Sequence, residues 1–174
     1  PLAGPVVAAA VILNPDAPLP EGLDDSKKLT ALQRERIAAE LKETALCYGV
    51  GLVPPEEIDS TNILIATRRA MCHALGELTP CADFLLIDAL QLREVALPQR
   101  AIIRGDSISA SIAAASVIAK TYRDALMRDY DTVYPEYGFA SHVGYGTRAH
   151  LAALRTHGAT PIHRRSFRGV LPVE

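Results

Sequence analysis

Tryptophan is absent, and aromatic residues make up only 5% of the chain. The core therefore has to be aliphatic, built on Ala, Val, Ile and Leu. Cysteine is nearly as scarce. Cys47, Cys72 and Cys81 are odd in number and match no zinc-ligand spacing. That argues against a disulfide framework, and each thiol reads as a small apolar residue in a reducing cytoplasm. No apolar run approaches the roughly 18 residues of a membrane span, so no membrane partner is expected. The opening PLAGPVVAAAVIL is apolar but has no basic flank, so it reads as a strand rather than a signal peptide. It starts without Met, as a processed chain or one that starts late would.

Familiar catalytic signatures are missing too. There is no G-x-x-x-x-G-K-[ST] phosphate loop, no G-x-S-x-G elbow and no H-E-x-x-H pair. Gly49-Val50-Gly51 is a bare GxG that continues as a strand, which speaks against a dinucleotide site.

What remains is ordinary for a globular protein: 174 residues, 49% hydrophobic and 22% charged. That length suits a single domain, spanning residues 1–174, able to bury roughly 70% of its unfolded surface. The net charge is −2, but its distribution is uneven. Residues 1–136 carry 13 Lys/Arg against 19 Asp/Glu; residues 137–174 carry five Arg, one Glu and four of the five histidines. An acidic body with a basic C-terminal segment suits metal at one place and phosphates at another; uneven solvated surface charge is the alternative.

The hydrophobic pattern places a buried strand at Val6 to Leu13 and a loop at 14–25. A capping box, Thr30 with Gln33, opens a helix to about Thr44 with Leu32, Ile37 and Leu41 as its stripe. A strand at Ala45 to Val53 follows. The N-cap cluster Asp59-Ser60-Thr61-Asn62 then opens a helix to about Leu78, with Ile63, Ala66, Ala70 and Leu75 on one side. Short strands end at Asp88 and before Gly105-Asp106. A long helix runs from Ser107 to about Tyr130. Tyr134 to Thr147 reads as an ordered loop, Thr147 to His157 as a short helix, and Thr160 to Glu174 as an irregular basic tail. Strands alternating with helices give an α/β fold with helices layered on a sheet.

Asp88 closes an apolar strand and Asp106 stands at a strand–helix junction. Open α/β sheets place ligands at such ends, and two converging carboxylates would attract Mg²⁺ or Mn²⁺. Alternatively, Asp88 is a turn former and Asp106 a helix N-cap. Ser26, Lys27 and Lys28, in the loop DDSKK, suit phosphate contacts or simply a solvated turn. Tyr145, between two glycines, suits stacking on a sugar or base, or packing over a turn. His163-Arg164-Arg165-Ser166-Phe167 suits phosphate binding, or pairing with the acidic body.

Taken in order, these segments resemble ribonuclease HII, the type 2 ribonuclease H. The matching pieces are PLAGPVVAAAVIL at the start, DDSKKLT at 24–30, PPEEIDSTNILIATRRAM at 54–71 and LLIDAL at 85–90. GDSISASIAAASVIAKTYRD at 105–124, YPEYGFASHVGYGT at 134–147 and TPIHRRSF at 160–167 complete the set. The resemblance implies a ribonuclease H-like mixed sheet flanked by helices. It implies endonucleolytic cleavage of RNA paired to DNA, including single ribonucleotides embedded in duplex DNA. Two divalent ions, Mg²⁺ or Mn²⁺, would be held by four carboxylates, with products ending in 3′-hydroxyl and 5′-phosphate. Asp88 and Asp106 match two of the four. Tyr145 matches the tyrosine that senses the ribonucleotide–deoxyribonucleotide junction, and Lys27 and Lys28 match lysines beside the substrate backbone. The expected partner is a hybrid or a ribonucleotide-containing duplex, with a monomer and no obligate protein partner. Cytoplasmic location is implied as well.

The family carries Asp-Glu-Ala-Gly-Arg-Gly immediately before the segment that here begins at Pro1. That hexapeptide supplies the other two carboxylates and lies on the central strand. The expectation is therefore a chain without its first, central strand, and the alternative function is an inactive truncated fragment that binds hybrids. Ile108 and Val143 stand where basic residues are common, and Ala89 stands where Gly is common.

Overall fold

The computed structural model describes residues 1–170. In chain order the elements are β1 (Val6–Ile12), α1 (Ala31–Thr44), β2 (Cys47–Val53), α2 (Pro55–Ser60), α3 (Ile63–Gly76), β3 (Leu85–Asp88), β4 (Gln99–Ile102), α4 (Ala110–Val133), α5 (Phe139–His142) and α6 (Arg148–His157). Short 3-10 turns cover Gly105–Ser107 and Pro135–Tyr137. The class is α/β, as expected. Its strands form two two-stranded sheets among the described residues, β1 with β2 and β3 with β4. The described residues gather into two compact units, one of residues 7–52 and 68–121, the other of residues 1–6, 53–67 and from 122 onward.

In the first of these units, α1 starts where the sequence places it. The Thr30 hydroxyl accepts the Gln33 N–H at 3.3 Å, and the Gln33 side chain accepts the Thr30 N–H at 2.9 Å. Such a cap is worth about 1 kcal/mol. Ile37, Ala38 and Leu41 are buried against Ala114, Val117 and Ile118. Leu32 is not part of the stripe; it is 77% exposed. Five residues separate it from Ile37, and at ~100° per residue that turns it off the buried face. The α3 stripe is likewise alanine, with Ala66, Ala70 and Ala74 buried and Ile63 exposed. The glycines of β2 explain why. A Cβ on Gly51 would collide with the Ala70 carbonyl, and one on Gly49 with that of Ala74. The GxG is thus a close-packing device between strand and helix. β1 is paired by β2 alone among the described residues, and six of its seven residues stay partly exposed. The apolar run predicted a buried strand.

β3 and β4 run parallel, Leu85 beside Gln99 and Asp88 beside Ile102. The Gln99 amide ties the crossover between them, donating to the carbonyls of Leu92 (2.9 Å) and Val95 (3.2 Å) and accepting from the Leu92 N–H at 2.7 Å. Leu85, Ile87 and Leu92 pack on Met71, Cys72 and Leu75.

The second unit centres on Met127, Tyr137, Phe139, Leu154 and Ile162. The stretch expected to be one ordered loop contains a 3-10 turn and α5. Asp59 and Ser60, expected to cap a helix, lie inside α2. The cap of α3 is Asn62, whose Oδ1 accepts the N–H groups of Leu64 and Ile65 at 3.0 Å each. Asp59 instead grips the tail, accepting the N–H groups of Arg165 (2.8 Å) and Ser166 (2.9 Å) and the Ser166 hydroxyl. Burial opposes its charge, but these donors outweigh it and hold the carboxyl below its usual pKa. Of the irregular basic tail, residues 171–174 lie outside the described residues.

Candidate active site

The first unit brings the two candidate carboxylates to one corner. Asp88 ends β3, and its Oδ1 accepts the Gly105 N–H at 2.9 Å. That partner lies 17 residues on in sequence, so the bond fastens strand to strand end rather than forming a local turn. Asp106 follows Gly105 in the 3-10 turn and is 7% exposed. The Gly105 carbonyl accepts the Ser109 N–H at 2.8 Å and so leads into α4. One peptide group therefore couples Asp88 to the turn that carries Asp106. Gly105 was not singled out in the sequence beyond its place in the motif. A Cβ there would stand 2.5 Å from Cδ1 of Ile112, so glycine permits the close approach.

Lys27 completes the corner. Its Nζ donates to Oδ2 of Asp106 at 3.2 Å and lies 3.8 Å from Asp25. The hydrogen bond to Asp106 raises the lysine pKa; partial burial opposes this, and the charges of Asp106, Asp25 and Asp88 reinforce it. The ammonium is therefore charged at neutral pH, where the carboxylates are ionised. Its side chain is 77% exposed, so it can leave Asp106 for a phosphate oxygen at little cost. Lys28 is held by Asp24 at 2.9 Å. Ser26, expected as a substrate contact, is buried, and its hydroxyl lies 2.7 Å from that of Ser116 on α4. It anchors the loop that presents Lys27.

Ala89 follows Asp88 with φ at +58°, its N–H donating to the Ile102 carbonyl at 3.0 Å. A side chain in the left-handed region costs about 1–2 kcal/mol, whereas Gly there gives up about 0.4–1 kcal/mol through unfolded-state entropy. Ala89→Gly is expected to stabilise the chain by about 0.5 kcal/mol, read as a higher urea midpoint. A lower midpoint would mean that the turn carries no such strain.

The other candidates sit in the second unit. Tyr145 is 49% exposed, while its backbone is tied on both sides. Its N–H donates to the His142 carbonyl at 2.9 Å, and its carbonyl accepts from Thr147 N–H at 2.8 Å. Of the basic segment, Arg165 is exposed, but His163 and Arg164 are buried. The Arg164 guanidinium donates to the carbonyls of Gly4 (2.9 Å) and Pro5 (3.1 Å), which removes it from phosphate binding. Arg165 alone of that pair keeps the expected role open.

The family model for ribonuclease HII matches residues 1–170. The chain belongs to the ribonuclease HII family. This is a family of endoribonucleases. Ribonuclease HII of Desulfitobacterium hafniense is 58% identical over 96% of this chain, which spans 64% of that relative. The chain thus covers just under two thirds of its relative's length. Among solved structures, ribonuclease H2 from Pyrococcus horikoshii is similar, with a TM-score of 0.76 at 25% identity, covering 98% of this chain and 90% of that one. Bst-RNase HIII in complex with Mn²⁺ shares the fold, with a TM-score of 0.70 at 17% identity, covering 97% of this chain and 64% of that one. No helix among the described residues is long and apolar enough to cross a membrane.

Proposed function

We propose that this chain carries the hybrid-cleaving site of a ribonuclease HII, hydrolysing the RNA strand of RNA–DNA hybrids and cutting beside single ribonucleotides in duplex DNA. The observation that carries the reading is the Asp88–Gly105–Asp106 corner, which lies within the motifs shared with that family. The two carboxylates suit one Mg²⁺ or Mn²⁺ ion whose other ligands are water and phosphate oxygens. They do not suffice for a pair of ions, and no group of three or more His, Cys, Asp or Glu residues among the described residues is placed to hold a metal. The other two carboxylates of the family pattern belong to the hexapeptide preceding the position of Pro1. Bound divalent ions at such a site acidify water and neutralise charge on the phosphate.

The chain's own residues have separate roles. Asp88 and Asp106 supply the negative field that draws cations to the corner. Lys27, released from Asp106, and Lys28 hold the phosphate backbone, and Ser26 keeps their loop in place. In the other unit, Tyr145 stacks at the ribonucleotide junction and Arg165 adds a phosphate contact. Water attacks phosphorus in line with the departing 3′ oxygen, so the products end in a 3′-hydroxyl and a 5′-phosphate. The second reading is hybrid binding without cleavage.

The deciding experiment uses a labelled duplex with one embedded ribonucleotide, Mg²⁺ or Mn²⁺, and an EDTA control. The 174-residue chain is compared with the same chain preceded by Asp-Glu-Ala-Gly-Arg-Gly. Metal-dependent cutting 5′ to the ribonucleotide by the extended form is expected. Absence of cutting by both forms would overturn the cleavage reading, and tight binding by both without cutting would establish the second.

A further inference from the structure

The proposed site leaves the histidines of the second unit unused. Three of them form one buried cluster: the His142 and His150 rings stack with centroids 4.6 Å apart and 11° between planes, and His150 meets His163 nitrogen to nitrogen. His150 and His163 are 0% and 1% exposed. Their hydrogen bonds fix every proton. The Thr160 N–H lies 3.0 Å from Nδ1 of His163, and a backbone amide can only donate, so Nδ1 is the acceptor. A neutral His163 then carries its proton on Nε2, which faces Nε2 of His150 at 3.0 Å. Nε2 of His150 must therefore accept, and its own proton lies on Nδ1, 2.9 Å from the Tyr145 carbonyl. The donors run one way, from Thr160 through His163 and His150 to the backbone of Tyr145.

His142 works on the neighbouring residue by the same logic. Its Nδ1 accepts the Gly144 N–H at 3.2 Å, so Nε2–H donates to the Tyr137 carbonyl at 2.8 Å. All six ring nitrogens of the three histidines are thereby used. None is left to ligate a metal or to act as a base. The loop is clamped by shape as well. Gly144 has φ at +79°, and a Cβ on it would stand 2.6 Å from the Ala3 carbonyl oxygen, while one on Gly146 would lie 3.1 Å from Leu2. A half-exposed ring on a loop whose backbone is tied at Gly144 and on both sides of Tyr145 is a preorganised stacking platform, and misplacing such a group by about 1 Å can cost up to ~10²-fold in rate.

We propose that His150 and His163 are positioning residues: their one-way relay sets the carbonyl of Tyr145, and so the place of its ring, and with it the preference for a ribonucleotide junction over a continuous hybrid. The inference rests on the proposed role of Tyr145. It makes no claim on the carboxylate corner.

Two measurements test it. In the 174-residue chain itself, ¹⁵N-labelled imidazole spectra are expected to show His163 as the Nε2–H tautomer and His150 as the Nδ1–H tautomer. Both rings in the same tautomer would overturn the relay whatever the enzyme's activity. In the form that cleaves, kcat/KM is compared on an embedded ribonucleotide and on a continuous hybrid. His150→Leu is expected to lower that ratio about 10-fold. His150→Asn, which can still donate to the Tyr145 carbonyl, is expected to keep it. Adding Tyr145→Ala to His150→Leu is expected to lower it no further than Tyr145→Ala alone. A His150→Leu variant that melts normally and keeps the ratio would overturn the proposal. So would a drop of the same size in His150→Asn. If Tyr145→Ala alone leaves the ratio unchanged, the role of Tyr145 fails and the positioning role falls with it, while the tautomer result stands apart.

Discussion

Asp106→Asn in the cleaving form is expected to reduce turnover by about 10³-fold or more while leaving the melting temperature and hybrid affinity nearly unchanged. The substitution keeps the shape of the side chain and removes one of the two negative charges at the corner. Even a hydrogen-bond partner of a metal ligand is worth 10–100-fold in activity, and a group aimed at charge developing in the reaction about 10²–10³-fold. In the proposed role, Asp106 would both hold the ion and face the phosphate, combining these effects. Stability should survive because the partner left behind, Lys27, is largely exposed and can be solvated. The checks are single-turnover cleavage, a thermal melt and a binding titration on the same preparation. Normal turnover would remove Asp106 from the site. Lost turnover with a lowered melting temperature would point to the turn at Gly105–Ser107 rather than to the chemistry.

Acidification from pH 6.5 to 4 is expected to cost the fold about 3 kcal/mol through His163. Burial pushes its pKa down to about 4, and the neighbouring His150 and Arg165 act in the same direction. The unfolded chain takes up this proton near pH 6.5. Between the two values the unfolded state binds a proton that the folded state refuses, so stability falls as pH falls. The contribution is complete above pH 6.5, declines through the window and is flat below about 4. At about 1.4 kcal/mol per unit this amounts to about 3 kcal/mol. His150, also lowered chiefly by burial, adds to the loss. Asp59 acts at lower pH: its stabilisation is lost only as pH falls through its depressed pKa. The measurement is the urea midpoint across pH 4 to 7 for the parent and for His163→Gln. The parent should lose midpoint steadily and the variant much less. Equal slopes would mean that His163 is protonated at no cost in the folded chain.

The features that were legible in advance are those whose causes lie within three or four residues. The capping box at Thr30 is a bond to Gln33, so the start of α1 could be named. Thr147 caps α6 through His150, three residues on. The strand that ends at Asp88 and the Gly-Asp turn before α4 were readable from apolar runs and glycine, and the order of the motifs carried the family.

Features whose partners lie far along the chain were not legible. Ser26 looked like a substrate contact because its partner, Ser116, is 90 residues away. Arg164 looked like a phosphate grip because the carbonyl that takes its Nε–H lies 160 residues away. Asp59 was a natural helix cap by type, yet it binds amides 106 and 107 residues on. Leu32 and Leu41 are the same residue type on the same helix; at about 100° per residue their spacing puts them on opposite faces, and the packing partners decide which of those faces is buried. The residue types and their local spacing determined which groups are candidates for chemistry and where most helices and strands begin. The tertiary structure alone decided which of those groups are spent on the fold, because a hydrogen bond of about 3 Å depends on distance in space and is indifferent to distance along the chain.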